Sequence, residues 1–391
     1  MIKVKRQLTL VSLALLVLSL GSCQFHPFSQ PFQPFDLLPS PYCFVDEMKD
    51  KSCSWFVVVD AVSDEPYAKI PLRNVGSVIG DVHRAPNGNY YLLDAGYHPA
   101  TGSYDSSRVL VIDPAQGRVV YEIPLPRRTD SMGNITAEGE FLCTSNWFDF
   151  EKGAEFTIVD AIDGSTDVFY QRIGPDGTQF PFFAAPEDKR HILPRNGTML
   201  YYVAENGRSA ALYQVDPDDK EPRKIFFWDA LSLSPSQVEV DEAGGKVYAG
   251  IYPALSVSEA RQAPLEIQVI DLITGALERR ISLPSAEVLF GCEGERSEIF
   301  ISHMKYSLSK NRLYLNLALF FEHGGRRTSL AYYDLMAAKF TRIFTVDDLG
   351  FNTMDELNGK LYLRVMDFDG EDWLLRVDPE TGDAKWILGT S

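Results

Sequence analysis

Six histidines stand at positions 26, 83, 98, 191, 303 and 323. Imidazole can ligate a metal or carry a proton near neutral pH. His83, His191 and His303, taken with Asp81, Asn134, Glu239 and Asp355, are the residue types that a metal or general-base centre requires. A second set is aromatic and cationic: Tyr97, His98, Tyr104, Trp147, Phe148, Phe150, Tyr252, His323, Arg326, Arg327 and Trp373, with Phe180, Phe182 and Phe183. These types anchor binding interfaces because they combine large contact area with directional polar groups. Standard catalytic signatures are missing: the chain has no GxSxG elbow, no HExxH and no Walker loop. The five cysteines form no CxxC pair, against a zinc ribbon or a thioredoxin-type centre. The acidic run Asp367–Asp372 lacks the bidentate Glu of a calcium loop and reads as an exposed turn. No metal and no cofactor is expected.

The 391 residues carry 37 Lys plus Arg against 54 Asp plus Glu, a net charge of −17. A chain this acidic repels phosphate backbones, so a nucleic-acid partner is not expected. At the N-terminus Lys3, Lys5 and Arg6 precede an apolar stretch, Leu8–Leu20, that is short for a membrane span and suited to a signal h-region. Leu20-Gly21-Ser22-Cys23 follows, and this run resembles the bacterial lipobox. The resemblance implies removal of residues 1–22, lipidation of Cys23 and anchoring in a bacterial envelope. Gln24, in place of the Asp that retains lipoproteins at the inner membrane, implies an outer-membrane address facing the periplasm in a Gram-negative cell. Residues 23–41 contain Pro27-Phe28, Pro31-Phe32 and Pro34-Phe35 and read as an extended tether, because proline removes donors and restricts the backbone.

The elements that must position these groups come from a repeat. An alternating apolar run ends in Asp, turns, and returns as a second strand; the Asp falls at 60, 113, 160, 216, 271, 334 and 378. The Asp is a turn former whose carboxylate accepts from local N–H groups. Between copies lies another hairpin, with turns such as Asn87-Gly88, Asn196-Gly197 and Asn358-Gly359. Four strands per repeat of roughly fifty residues describe an all-β protein, a β-propeller over residues 42–391. Seven four-stranded blades are expected, with six as the alternative, because the first repeat has only Tyr42–Glu47 ahead of its hairpin. Runs such as Val269–Gly275 and Val377–Gly382 resemble the YVTN and quinoprotein-like (WD40-like) propellers. Only the last repeat, with Trp386, has the blade tryptophan usual in quinoproteins.

With strands labelled a to d outward from the axis, His83, His191 and His303 fall on or near innermost strands, as polar lining or as a pore-centred site. The a–b and c–d turns are short. The b–c stretches Ala95–Ser107, Trp147–Ala154, Tyr252–Pro264 and Phe321–Thr328, and the d–a stretch Gly174–Lys189, are long. Function is therefore expected on that second face, carried by the aromatic and arginine set. The expected role is a lipid-anchored scaffold that binds an envelope protein or small ligand; the alternative is an envelope enzyme of lactonase or quinoprotein type. Cys43 and Cys53 could pair as a disulfide in an oxidising envelope, the alternative being two free thiols. Cys143 and Cys292 are expected to be unreactive.

Overall fold

Alternation of β-branched and aromatic residues with polar ones, broken by Asp, Asn and Gly, produces strands almost throughout. The computed structural model describes residues 42–44, 54–60, 65–72, 78–85, 87–98, 103–104, 106–113, 116–126, 129, 131–133, 135–136, 138–149, 153–171, 189–192, 199–205, 209–229, 234–252, 265–291, 297–321, 325–366 and 372–388. All belong to one compact unit, Asp36–Ser391. The signal segment, Cys23, the tether and Cys53 lie outside the described residues.

Each antiparallel sheet takes its strands in chain order, and only in sheet 2 does a separate two-stranded ladder, Tyr97–His98 with Ser103–Tyr104, intervene. Sheet 1 has three, Tyr42–Phe44, Ser54–Asp60 and Glu65–Leu72. Sheet 2 has Val78–Arg84, Tyr90–Asp94, Arg108–Asp113 and Arg118–Pro124. Sheet 3 has Ser131–Met132, Glu140–Asp149, Gly153–Asp160 and Thr166–Gln171. Sheet 4 has Lys189–Ile192, Leu200–Glu205, Ser209–Val215 and Arg223–Asp229. Sheet 5 has Ser234–Asp241, Lys246–Tyr252, Glu266–Asp271 and Leu277–Ser282. Sheet 6 has Ser297–Ser307, Arg312–Phe321, Arg326–Asp334 and Lys339–Asp347. Sheet 7 has Gly350–Leu357, Lys360–Met366, Asp372–Val377 and Ala384–Leu388. The strands of each four-stranded sheet are called a to d in this order. Sheet 1 takes up residues 42–72, as the partial first repeat requires, and among the described residues it shares no strand with sheet 7. The helix Ala286–Phe290, between sheets 5 and 6, departs from the all-strand expectation.

The core lies between successive sheets. Phe56, Ile70 and Leu72 of sheet 1 pack with Tyr90, Leu92 and Leu110 of sheet 2. Tyr91, Val109 and Ile123 of sheet 2 pack with Phe141 and Val159 of sheet 3. The same relation joins sheets 3 and 4, 4 and 5, 5 and 6, and 6 and 7. Phe156 shows the density: it is fully buried, 5.0 Å from the Phe169 ring and 4.5 Å from the Tyr202 ring of the next sheet. Burying such a side chain contributes about 1.5–3 kcal/mol.

The repeated Asp closes the c–d turn as expected. Asp271 accepts from the Thr274 N–H at 2.7 Å, the Ile273 N–H at 3.1 Å and the Thr274 hydroxyl at 2.8 Å. Asp334 accepts from Ala337 and Met336 N–H groups at 2.8 and 3.0 Å, and Asp378 from Glu380 N–H at 3.0 Å. Gly275 and Gly382 take positive φ, +69° and +78°. These glycines also touch the preceding sheet. A Cβ on Gly275 would collide with the Ile225 carbonyl oxygen, and one on Gly382 would lie 3.3 Å from that of Ile343. At the equivalent Gly164, the neighbour is the Ile123 side chain. Ile123, Ile225 and Ile343 all stand on strand d.

Residue alternation did not foretell the bulges. The c–d ladder slips at Val111/Ile112, Leu212/Tyr213, Val269/Ile270, Leu330/Ala331 and Leu374/Leu375. The a–b ladder slips at Ile79/His83, Pro235/Gln237, Ile301/His303 and Phe351/Thr353. Such slips increase the twist and re-aim side chains.

Candidate functional site

The pore candidates fall on strand a. His83 and Asp81 are on that strand of sheet 2, His191 of sheet 4, Glu239 of sheet 5, His303 of sheet 6 and Asp355 of sheet 7. Strands a of sheets 5, 6 and 7 pack side by side. The Tyr306 N–H donates across to the Glu239 carboxylate at 3.3 Å. His83 is buried and, like His303, stands at a bulge. Among the described residues no three His, Cys, Asp or Glu side chains gather closely enough to hold a metal ion. Asn134 lies outside the described residues. Cys143 is buried and free, and burial pushes its thiol pKa up, which keeps it protonated and inert.

The aromatic and arginine set is placed differently from the expected loops. Trp147 and Phe148 are in strand b of sheet 3, which runs to Asp149, with Phe148 opposite Ala154. Arg326 and Arg327 open strand c of sheet 6, Trp373 lies in strand c of sheet 7, and Tyr252 ends strand b of sheet 5. The reason is that aromatic residues favour pleated pairing, so strands b and c run on to the corner. Tyr97 and His98 pair with Tyr104 and Ser103 in a separate two-stranded ladder. Phe150, His323, Phe180, Phe182 and Phe183 lie outside the described residues.

Arg326 is the best-defined member of this set. Its cross-strand partner is Phe320, and its guanidinium carbon lies 5.4 Å from that ring. Phe320 is 44% exposed. The opposite side of the guanidinium meets Gly350, the first residue of sheet 7; a Cβ there would come within 2.5 Å of Nη1. The main chain is held by the Asp348 N–H donating to the Arg326 carbonyl at 2.8 Å, and the Arg326 N–H reaches Asp348 Oδ1 at 3.5 Å. The guanidinium itself has no hydrogen-bond or ion-pair partner among the described residues, and its Nε is shielded from solvent. Desolvation lowers its pKa. Adjacent Arg327 is neutralised by both carboxylate oxygens of Asp347. At the start of strand c in sheet 2, Arg108 meets Asp94 at 3.0 Å and Glu122 at 2.8 Å. Sequence reasoning chose Arg326 but missed Phe320 and Gly350. Counting the b–c register back from Asp334 would have found Phe320; nothing in the sequence signals the approach of Gly350.

No protein-family model matches the chain, and no curated protein matches it in sequence. Solved structures do resemble it. The periplasmic gluconolactonase PpgL of Pseudomonas aeruginosa aligns at a TM-score of 0.54 with 12% identity, covering 91% of this chain and 96% of that one. The β-propeller domain of the trilobed protease from Pyrococcus furiosus, described as having an open velcro topology, aligns at 0.52 with 11% identity, covering 90% and 98%. Oligopeptidase B from Leishmania major aligns at 0.54 with 6% identity, covering 92% of this chain and 49% of its own. At these identities the likeness is one of architecture. With each sheet packed on the next in chain order, it makes this chain a β-propeller.

Proposed function

We propose that the protein is a lipid-anchored envelope scaffold that binds an envelope protein or small ligand through the face bearing the b–c and d–a connections. The supporting observation is one-sidedness. On the other face, the described c–d turns are short and closed by Asp carboxylates. At this face strand d of sheet 3 ends at Gln171 while strand a of sheet 4 begins at Lys189, strand b of sheet 5 ends at Tyr252 while strand c begins at Glu266, and the half-buried Arg326 opens strand c of sheet 6. Long connections are where selective contacts are built. The N-terminal run ending in Cys23 supplies the membrane anchor in this reading, and the YVTN-like turns supply only the frame.

Two experiments test it. Cys23→Ala should abolish acylation and detergent partitioning; unchanged processing defeats the anchor. For binding, partners cross-linked to the full-length protein are measured against two variants. Replacing Tyr97, Trp147, Phe148 and Arg326 by Ala should weaken capture about thirtyfold or more. Replacing His83, His191 and His303 should leave it intact.

The reverse result favours a second reading, an enzyme with a pore-centred site. That reading draws on Glu239 and His303 standing on strands a that pack side by side. Gluconolactonase activity belongs to the Pseudomonas aeruginosa relative; for this chain it is a candidate reaction class for the same test.

A further inference from the structure

We propose that Arg326 is the recognition point of an oxyanion-binding site at the corner between sheets 6 and 7, taking the carboxylate or phosphate group of a ligand. The inference goes beyond the scaffold reading, since the site would serve a bound partner or a substrate equally.

An arginine taken partly out of water normally meets a carboxylate, because its hydration is lost and must be replaced. Arg108, the first residue of strand c in sheet 2, follows that rule with its cross-strand residue Asp94. In sheet 6 the cross-strand residue is Phe320. The ring lies beside the guanidinium and cannot neutralise it. Asp347, which stands opposite Arg327 on strand d, is occupied by Arg327. Asp348 Oδ1 faces the main-chain N–H of Arg326 and forms no ion pair with its side chain. The guanidinium also lies against Gly350, in space that the Cβ of any larger residue would take from it. The result is a planar donor fork, unneutralised among the described residues, with a partly exposed aromatic ring beside it, in a protein of net charge −17. Such a fork matches the two oxygens of a carboxylate or phosphate.

The test uses the folded protein with inorganic phosphate and, separately, acetate, titrated at constant ionic strength against chloride. Binding is followed by the arginine Nε–H resonances. Wild type should saturate with at least one of the two anions. Arg326→Gln should weaken that binding at least tenfold while melting no lower than wild type, since no ion pair is lost. Gly350→Ala, which alters space and not charge, should weaken it in the same direction. Arg108→Gln should change it less than twofold. Saturation by phosphate alone assigns a phosphate-type ligand; saturation by acetate assigns a carboxylate. Failure of both anions to saturate overturns the proposal, as does undiminished binding in Arg326→Gln or an equal loss in Arg108→Gln.

Discussion

The roots of the c–d turns differ between sheet 3 and sheets 5, 6 and 7. In sheets 5, 6 and 7 the strand-b residue beside the repeated Asp is a cation: Lys246 with Asp271, Arg312 with Asp334 and Lys360 with Asp378. In sheet 3 the residue opposite Asp160 is Glu140. Both arrangements close the same turn, for Asp160 still accepts from the Ile162 N–H at 2.6 Å. The turn therefore depends on the carboxylate meeting main-chain donors, and the charge across the ladder only adjusts it. The pKa directions agree. Thr274 main-chain and hydroxyl donors, with Lys246 behind them, hold the Asp271 carboxyl down at about 2. Desolvation, then the nearby charges of Asp160 and Asp218, raise that of Glu140.

If packing between sheets outweighs the turn roots, the largest effect should come from the interior. Phe156→Ala removes a ring wedged between sheets 3 and 4 and should cost about 3–5 kcal/mol in urea denaturation. A loss no greater than that of a turn-root variant would reverse the ranking. Next comes Asn316, fully buried in sheet 6, which donates to the Phe351 carbonyl of sheet 7 at 2.9 Å. Asn316→Leu removes that buried donor and should cost about 1–3 kcal/mol by the same measurement.

The smallest effects bear on the comparison most directly, because their signs oppose. Glu140 binds its proton more tightly in the folded state. Its charge therefore destabilises at neutral pH, and the penalty is relieved as pH falls toward 4.5. Glu140→Gln should raise stability by about 0.5 kcal/mol at pH 7, allowing for solvent screening, and the gain should vanish in acid. Asp271 behaves in the opposite sense. Its contribution is present above 3.8 and is lost as pH falls through about 2, so Asp271→Asn should melt lower at neutral pH and converge with wild type near pH 2. Stability curves of like sign for the two variants would break the contrast.

Strands, turns and their grouping were legible because each rests on local chemistry: alternating apolar residues, an Asp that accepts from its own turn, and Asn-Gly pairs such as Asn358–Gly359, both at positive φ. The placement of His83, His191 and His303 on strand a followed from that count alone. The corners were less legible. Trp147 and Arg326 read as loop residues because polar and glycine-rich neighbours follow or precede them, yet pairing across strands b and c carries both into the sheet. The bulges and the approach of Gly350 to Arg326 depend on the neighbouring strand or sheet, which local alternation does not encode.

The glycine of the c–d turn carries a further consequence. Gly275 and Gly382 lie against the main chain of strand d in the preceding sheet, so each turn is shaped by a neighbour as well as by its own Asp. The heritable unit of this architecture is then a joint, half of it in one repeat and half in the repeat before. A gene duplication that copies whole repeats copies both halves in order, and the ring can gain a member without inventing a contact. A recombination that joins strand d of one lineage to a turn like that of Gly275 or Gly382 must match a bare α-carbon to a carbonyl. Drift at either side of that match is therefore constrained by the other.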